Sequence, residues 1–349
     1  MADGEVRADA DRLREFATEV FTRAAAMPPE DAATEAELLI WANLRGVDSH
    51  GVLRIPSYLE NVEKGIMNPN PNITVERETP ATILIDADRA FGPVVTTMAM
   101  KRVIAKARQV GIGWGLIRNT THQGAMGYYA LMAAKEGLAG IAVVNSPPNM
   151  APYGARAPGV HNAPLAMAAP GKDRGPLILD MATSVAAGGK LELAIDKGIP
   201  IPLGWALDEN GNPTTDPKKS GMLLPAGGPK GSGLSIMFEC FSSLMVGNPL
   251  VSSRLLGRRE VETGVQNSFI GAIDIGTFTD VDEYRQNVDD LIEGLKGLPT
   301  VEGVDEVFVP GEPEDRTYRD RSANGIPLPP GTVRNLRNVA ERYEIDLPF

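Results

Sequence analysis

The stretch ATILIDADRAFGPVVTTMAMKRVIAKARQVGIGWGLIRNTTHQGAMGYYALMAAKEGLAGIAVV, residues 81–144, decides the fold class. Short apolar runs at 81–85, 112–117 and 138–144 have the length and β-branched content of strands. Between them, 94–109 and 125–135 carry apolar residues at helical spacing. Strand, helix, strand, helix, strand is the pattern of an α/β layer. Gly111-Ile-Gly-Trp-Gly reads as a turn leading into a strand rather than as a nucleotide fingerprint, because the GxGxxG spacing is absent. No Walker A motif occurs either, since Gly171-Lys172 and Gly189-Lys190 are followed by Asp and Leu.

Toward the N-terminus, Val6, Leu13, Phe16, Val20 and Phe21 predict an amphipathic helix over 5–26, ended by Pro28-Pro29. A second helix starts near Glu30-Asp31, where acidic residues suit the helix dipole, and runs to Leu44. It delivers the chain to the loop Arg45-Gly-Val-Asp-Ser-His-Gly51. Toward the C-terminus a Gly/Pro-rich segment, 146–164, precedes strands at 165–168 and 177–181 and a helix over 184–196, for which Thr183 or Ser184 is a ready N-cap. A turn-rich section, 199–228, leads to a long apolar helix opening at Gly231. A strand at 269–275, a charged helix at 281–295, a strand at 306–309 and terminal helices follow. No repeat of 20 to 50 residues is present.

At 349 residues the chain is long enough for about two domains at ~150 residues each. Its 34 basic against 45 acidic residues give a net charge of −11, spread along the chain, which argues against a nucleic-acid footprint. Cys240 is the one cysteine, so no internal disulfide can form, and its apolar setting predicts a buried, inert thiol. Zinc-binding CxxC pairs are absent. The first thirty residues lack a signal-peptide core and no run approaches 18 apolar residues, which disfavours secretion and membrane spanning. A cytoplasmic location is expected.

Of the three histidines, His50 and His122 stand in polar or glycine-rich loops, DSHGVLR and THQGAMGYY, where an imidazole can exchange protons near neutral pH. A surface role is the plain alternative. Asp48 and Ser49 can orient His50, and Arg54 is about one helical turn away, where a guanidinium can grip a carboxylate beside the imidazole. Reduction of a 2-oxo acid requires that arrangement; an ion pair of Arg54 with Asp48 or Glu60 is the structural alternative. His122 precedes a helix N-terminus, as does Lys230 in the glycine-rich GGPKGSG, and such ends favour phosphate. A glycine-rich turn explains the latter equally. Asp180 sits at the carboxyl end of a strand, where open α/β sheets contact ligands, with Lys190 about two helical turns further along.

Taken together and in order, RGVDSHGVLRIPSYLENVEKG (45–65), THQGAMGYYA (121–130), NSPPNMAPYG (145–154), LDMATSVAAGGKLELA (179–194), IPLGWALDENGNPTTDP (201–217) and LLPAGGPKGSGLS (223–235) resemble the second type of malate/L-lactate dehydrogenase. That group also holds ureidoglycolate and sulfolactate dehydrogenases, diketogulonate reductases and cyclic-imine carboxylate reductases. The resemblance spans about residues 8–345. It implies an α/β fold with a non-Rossmann, NAD(P)-binding mixed sheet and a helical part built from both chain termini. The corresponding division is a helical part with the catalytic loop at 1–75, a cofactor-binding body at 76–300, and a segment at 301–349 packing back on the N-terminal helices. The resemblance further implies NAD or NADP as cofactor and a homodimer whose active site draws on both subunits.

By the same resemblance His50 is the acid/base, Ser49 its orienting serine and His122 a second active-site histidine that some members use as the acid/base. Arg54 is the carboxylate clamp, with Tyr58 and Asn162 beside the substrate. The cofactor contacts are His122, Ser146, Asp180, Met181, Ala182, Lys190 and Lys230, with Pro310, Gly311 and Glu312 near the end. Three positions depart from the family pattern: Gln123 replaces an aromatic residue, His161-Asn162 replaces Gly-Asn or Gly-Thr, and Lys190 stands where imine reductases carry an acid, which favours an oxo-acid substrate. The expected reaction is hydride transfer between the nicotinamide and C2 of a small 2-hydroxy/2-oxo acid, with no nucleic acid or membrane as partner. Reduction of a cyclic imine carboxylate and a non-catalytic metabolite-binding module are the alternatives.

Overall fold

The computed structural model describes residues 6–349. The expected N-terminal helix begins later than its periodicity suggested, and its first residue, Glu5, lies outside the described residues. Val6–Ala8 is a strand, β1, and the helix α1 is Ala10–Ala24. Asp9 stops the helix from starting earlier, because its carboxylate accepts the free N–H groups of Asp11 and Arg12 at 3.0 Å each. Helix α2, Pro29–Leu44, has Pro at its first position, where no intrahelical N–H is required. Two short 3-10 turns, Asp48–His50 and Val52–Arg54, then lead into α3, Ile55–Glu63.

The alternating stretch forms as read: β3 Thr82–Asp86, α4 Gly92–Val110, β4 Ile112–Thr120, α5 Gly127–Lys135 and β5 Ala139–Asn145. It is preceded by β2, Thr74–Glu78, an exposed edge strand whose polar residues gave no strand signal. Beyond lie β6 Leu165–Ala169, β7 Leu177–Met181 and α6 Gly188–Lys197. A small three-stranded sheet of β8 Ala206–Leu207, β9 Pro213–Thr214 and β10 Met222–Leu223 falls within the turn-rich section. Then come α7 Pro229–Glu239, α8 Val251–Leu256, β11 Gln266–Ile273 and α9 Val281–Lys296. The chain ends with α10 Glu312–Asn324, β12 Ile326–Leu328 and α11 Pro330–Tyr343.

Three local expectations are corrected. Residues 306–309 form no strand, because Glu306 is held by Lys296 and Arg316 and the segment pairs with no neighbour. Helix α6 starts at Gly188 rather than at 184: the Thr183 hydroxyl is taken by Ser235 at 2.6 Å and the Ser184 hydroxyl donates to Ala186 O, so neither caps the helix. Cys240 is half-buried, because α7 continues into a π-helical turn, Cys240–Leu244, that lies partly at the surface.

The seven-stranded sheet runs β2-β3-β4-β11-β5-β6-β7. It is mixed: β3 and β4 are parallel, joined through α4, and all its other neighbouring pairs are antiparallel. Strand β11 lies between β4 and β5, so two strands nearly adjacent in sequence are separated by one formed 120 residues later in the chain order Asn145 to Gln266. Helices α4 and α5 cover one face, burying Val95, Met100, Val103, Tyr129 and Leu131 against Ile83, Ile117, Ala142 and Ile270. Their approach is close because a Cβ at Gly113 would fall 2.0 Å from Val103 O, and one at Gly140 would fall 2.3 Å from Ala130 O. On the other face Trp114, Phe269 and Phe238 meet. A second core joins α1, α2 and α3 to α11, and β1 pairs antiparallel with β12. Among the described residues no helix is long and apolar enough to cross a membrane.

Candidate active site

The 3-10 turns after α2 put Ser49, His50 and Arg54 on one short, doubly bent segment with Gly51 at the bend. Gly51 is required there: a Cβ would collide with the Asn43 side chain, whose Oδ1 accepts the Val52 N–H at 2.9 Å. Ser49 Oγ is 2.9 Å from His50 Nδ1. Asp48 does not orient the imidazole, contrary to the reading from adjacency. Its carboxylate is held bidentately by Arg321 from α10, at 2.6 and 3.0 Å, and accepts from Asn43 Nδ2 at 2.7 Å. Arg54 pairs with neither Asp48 nor Glu60. Its Nε donates to Ser49 O at 2.6 Å, and Nη2 stands 3.7 Å from the exposed Glu192 carboxylate of α6.

His122 arrives from the loop between β4 and α5, five residues before the helix begins at Gly127. Its ring is 5.4 Å from that of His50 and nearly parallel to it, and its Nδ1 lies 2.5 Å from the Tyr58 hydroxyl of α3. Tyr58 is itself wedged edge-on against Phe91. Both rings have Nδ1 engaged by a hydroxyl, and among the described residues neither Nε2 has a partner. Burial and then Arg54 push the His50 pKa down to about 4. Burial, His50, Arg54 and His161 together hold His122 well below the usual imidazole range. His161 is brought down to about 3 by burial, against a hydrogen bond to the Val144 backbone, and among the described residues its Nδ1 has no partner. The three histidines of the chain are therefore gathered in one neighbourhood and all neutral near pH 7. Among the described residues no group of three His, Cys, Asp or Glu side chains is placed to hold a metal ion.

The remaining candidates assemble around the end of β7. Asp180 Oδ2 accepts the Gly127 N–H of α5 at 2.7 Å, from a residue left exposed at the end of β7. Met181 and Ala182 follow, half-buried. Thr183 O accepts the N–H of Ala226 at 2.8 Å in the turn before α7, where Lys230 is an exposed first-turn residue. The strand end thus bridges the N-termini of α5 and α7. A Cβ at Gly231 would fall 2.2 Å from Thr183 O, so glycine alone permits this junction. Two helix N-termini, a lysine and half-buried backbone make a donor set suited to an anionic dinucleotide. Pro310 O accepts from Ile178 N at 3.2 Å and Gly311 packs on Ile178, which brings both to the same strand.

Glu312, in contrast, is committed to Lys296 and Arg316. Ser146 donates to Val265 O at 3.3 Å at the start of β11. Asn162 is locked in a reciprocal pair with Asn149, at 2.9 and 3.0 Å, so its amide shapes the loop. Lys190 is exposed on α6. That helix is joined to the histidines another way: a Cβ at Gly189 would fall 2.4 Å from Ser49 Cβ. Gly189, Glu192 and Arg321 were missed in the sequence, since no local pattern ties them to residues 138 to 273 positions away.

A model of the malate/L-lactate dehydrogenase family matches residues 8–337. A malate dehydrogenase of Pyrococcus horikoshii is 38% identical over 98% of this chain and 96% of its own. An L-sulfolactate dehydrogenase of Methanocaldococcus jannaschii is 36% identical over 92% of this chain and 93% of its own. Among solved structures, a malate dehydrogenase from Entamoeba histolytica superposes with a TM-score of 0.93 at 30% identity, covering 99% of this chain and all of that one.

Proposed function

The chain belongs to the malate/L-lactate dehydrogenase family and is a hydroxyacid dehydrogenase working with a nicotinamide cofactor; from that premise we propose that it interconverts a small 2-hydroxy acid and its 2-oxo acid. When bound, the nicotinamide accepts or supplies the hydride at the substrate's C2. His50 takes the hydroxyl proton in oxidation and returns it to the carbonyl oxygen in reduction. Its Nδ1 is fixed by Ser49, which leaves Nε2 for the substrate. Arg54, whose Nη2 has only the long contact to Glu192, grips the substrate carboxylate. Asp180, Met181, Ala182, Lys230, Pro310 and Gly311 hold the dinucleotide where β7 meets the two helix N-termini.

The observation that carries this reading is the pair of stacked, neutral imidazoles beside a guanidinium at the end of a bent loop. Burial first and the neighbouring cation second keep both imidazoles unprotonated near pH 7, so each has a ring lone pair open to the substrate's hydroxyl proton. The test is absorbance of NADH or NADPH on adding pyruvate, oxaloacetate, sulfopyruvate and a cyclic imine acid in parallel. Coenzyme consumption with an oxo acid supports the proposal, and turnover of the imine alone overturns it. His50→Gln should lower kcat by about 10²–10⁴. The same loss in His122→Gln with His50→Gln unaffected would transfer the acid/base role to His122.

A homodimer in the cytoplasm completes the proposal. Leu234, Ile236 and Met237 on α7 and Phe241, Leu244 and Met245 after it form an exposed apolar face of the kind that associates with another chain. Sedimentation at twice the chain mass is expected, and Ile236→Asp should yield monomer.

A further inference from the structure

Behind the histidine pair lies a carboxyl that the reaction above does not use. Glu35, in the middle of α2, is wholly buried, and among the described residues neither of its oxygens has a hydrogen-bond partner. It shares a helix face with Ala32, Ala36 and Leu39, which pack in the same apolar core as Tyr58 and Phe91. A carboxyl left unpaired in apolar surroundings is costly, and an alkyl side chain there would not be. Groups of this kind cluster where a protein needs a shifted proton affinity.

Glu35's charge reaches Tyr58 on α3 and Tyr129 on α5. Tyr58 touches His122, and His122 stacks on His50, so a line of groups runs from the core of α2 to the reacting end of the site. Several charges on the elements packed against α2 are paired with groups other than Glu35: Arg14 of α1 with Glu37, Lys106 and Arg108 of α4 with Glu78 and Glu136, and Asp315 and Arg321 of α10 with Arg45 and Asp48. Facing His122 are His50, Arg54 and His161, all of which oppose its protonation. Nothing among these neighbours offsets the positive charge that the pair acquires with the substrate's proton.

We propose that Glu35 is a positioning residue for the histidine pair: once ionised in alkaline solution it supports, through Tyr58, the positive charge the pair carries while it holds the substrate's proton. The inference rests on the dehydrogenase reading for its reaction. With His122 neutral, the Tyr58 hydroxyl donates to Nδ1. With His122 protonated, Nδ1–H donates to the Tyr58 oxygen, a reversal open to a hydroxyl. A carboxylate behind Tyr58 makes that oxygen the better acceptor. The pair gains the one proton that the substrate's hydroxyl loses, and Glu35 keeps its own protonation state through the step, so with Glu35 ionised the pair and the carboxylate together pass from a net charge of −1 to zero.

The test uses histidine-¹⁵N-labelled full-length protein titrated from pH 5.5 to 9.5, since three histidines give resonances that single variants assign. The His122 ring should show an inflection near pH 8, where burial places the Glu35 carboxyl, while His122 itself stays neutral. Glu35→Gln should abolish the inflection and Glu35→Asp should keep it. In the oxidation direction kcat of Glu35→Gln should fall about tenfold at pH 9, the effect of one unit of imidazole proton affinity, with little change at pH 6.5 and none in KM. An inflection that persists in Glu35→Gln overturns the proposal. Should that variant fail to fold, a wild-type His122 resonance without an inflection between pH 7 and 9 overturns it alone. The resonances do not depend on turnover, so a chain inactive with each acid tried would sink the dehydrogenase substrate reading and leave this measurement standing.

Discussion

The Ser49–His50 contact was legible from adjacency, because neighbouring residues in a tight turn have little choice but to meet. The His122–Tyr58 contact was not, since it joins residues 64 positions apart. Asp48 shows the limit of adjacency: its nearest attractive charge is Arg321, 273 positions away, and a bidentate guanidinium outcompetes an imidazole for a carboxylate. Glu35 left a trace that could have been followed, an acid on the Ala32–Ala36–Leu39 face of an otherwise apolar stripe. The contact between Gly189 and Ser49 makes a residue-scale prediction. Gly189→Ala puts a methyl 2.4 Å from Ser49 Cβ, which must move and take its hydroxyl away from His50. Circular dichroism should show an intact fold while kcat drops; unchanged kcat would mean that Ser49 does not orient the ring.

At the scale of elements, the alternating stretch was readable because each strand and helix there is regular and buried on one face. The expected strand at 306–309 failed because apolar content alone does not supply a partner strand, and the one at 6–8 was hidden because its partner is β12. The seat of α4 on β4 depends on Gly113, where a Cβ would strike the Val103 carbonyl; Gly113→Ala should cost about 1–3 kcal/mol in denaturant unfolding through overpacking. Helix α10 reaches the turn carrying His50 through Arg321, which also donates to Asn43 O at 2.5 Å. Arg321→Ala leaves Asp48 without its bidentate partner and should cost ~1–3 kcal/mol. It should also lower kcat, because the 3-10 turn carrying His50 loses its anchor. Lysine, a point charge without the fork, should restore stability in part and geometry poorly.

At the scale of the whole molecule, buried ionisable groups set opposing pH dependences. His50 and His161 titrate at about 4 and about 3 when folded, against 6.5 for a free imidazole. The unfolded chain therefore binds more protons below pH 6.5, and stability falls as the solution is acidified from there. Glu35 acts the other way: its folded value of about 8 lies above 4.5, so the folded state holds the extra proton and stability declines as pH rises from 4.5 to 8. Stability should peak near pH 6.5, and Glu35→Gln should flatten the decline toward pH 8 in urea melts at several pH values. An equal decline in that variant would show that the carboxyl is not the source. The strand order has a consequence for biogenesis. Because β11 fills the gap between β4 and β5, a ribosome that has made the first 265 residues has produced two sheet edges with nothing between them. Those edges are open to any other extended chain until β11, Gln266–Ile273, emerges, so slow translation beyond residue 265 should expose the nascent protein to aggregation and make chaperone capture most valuable at that point.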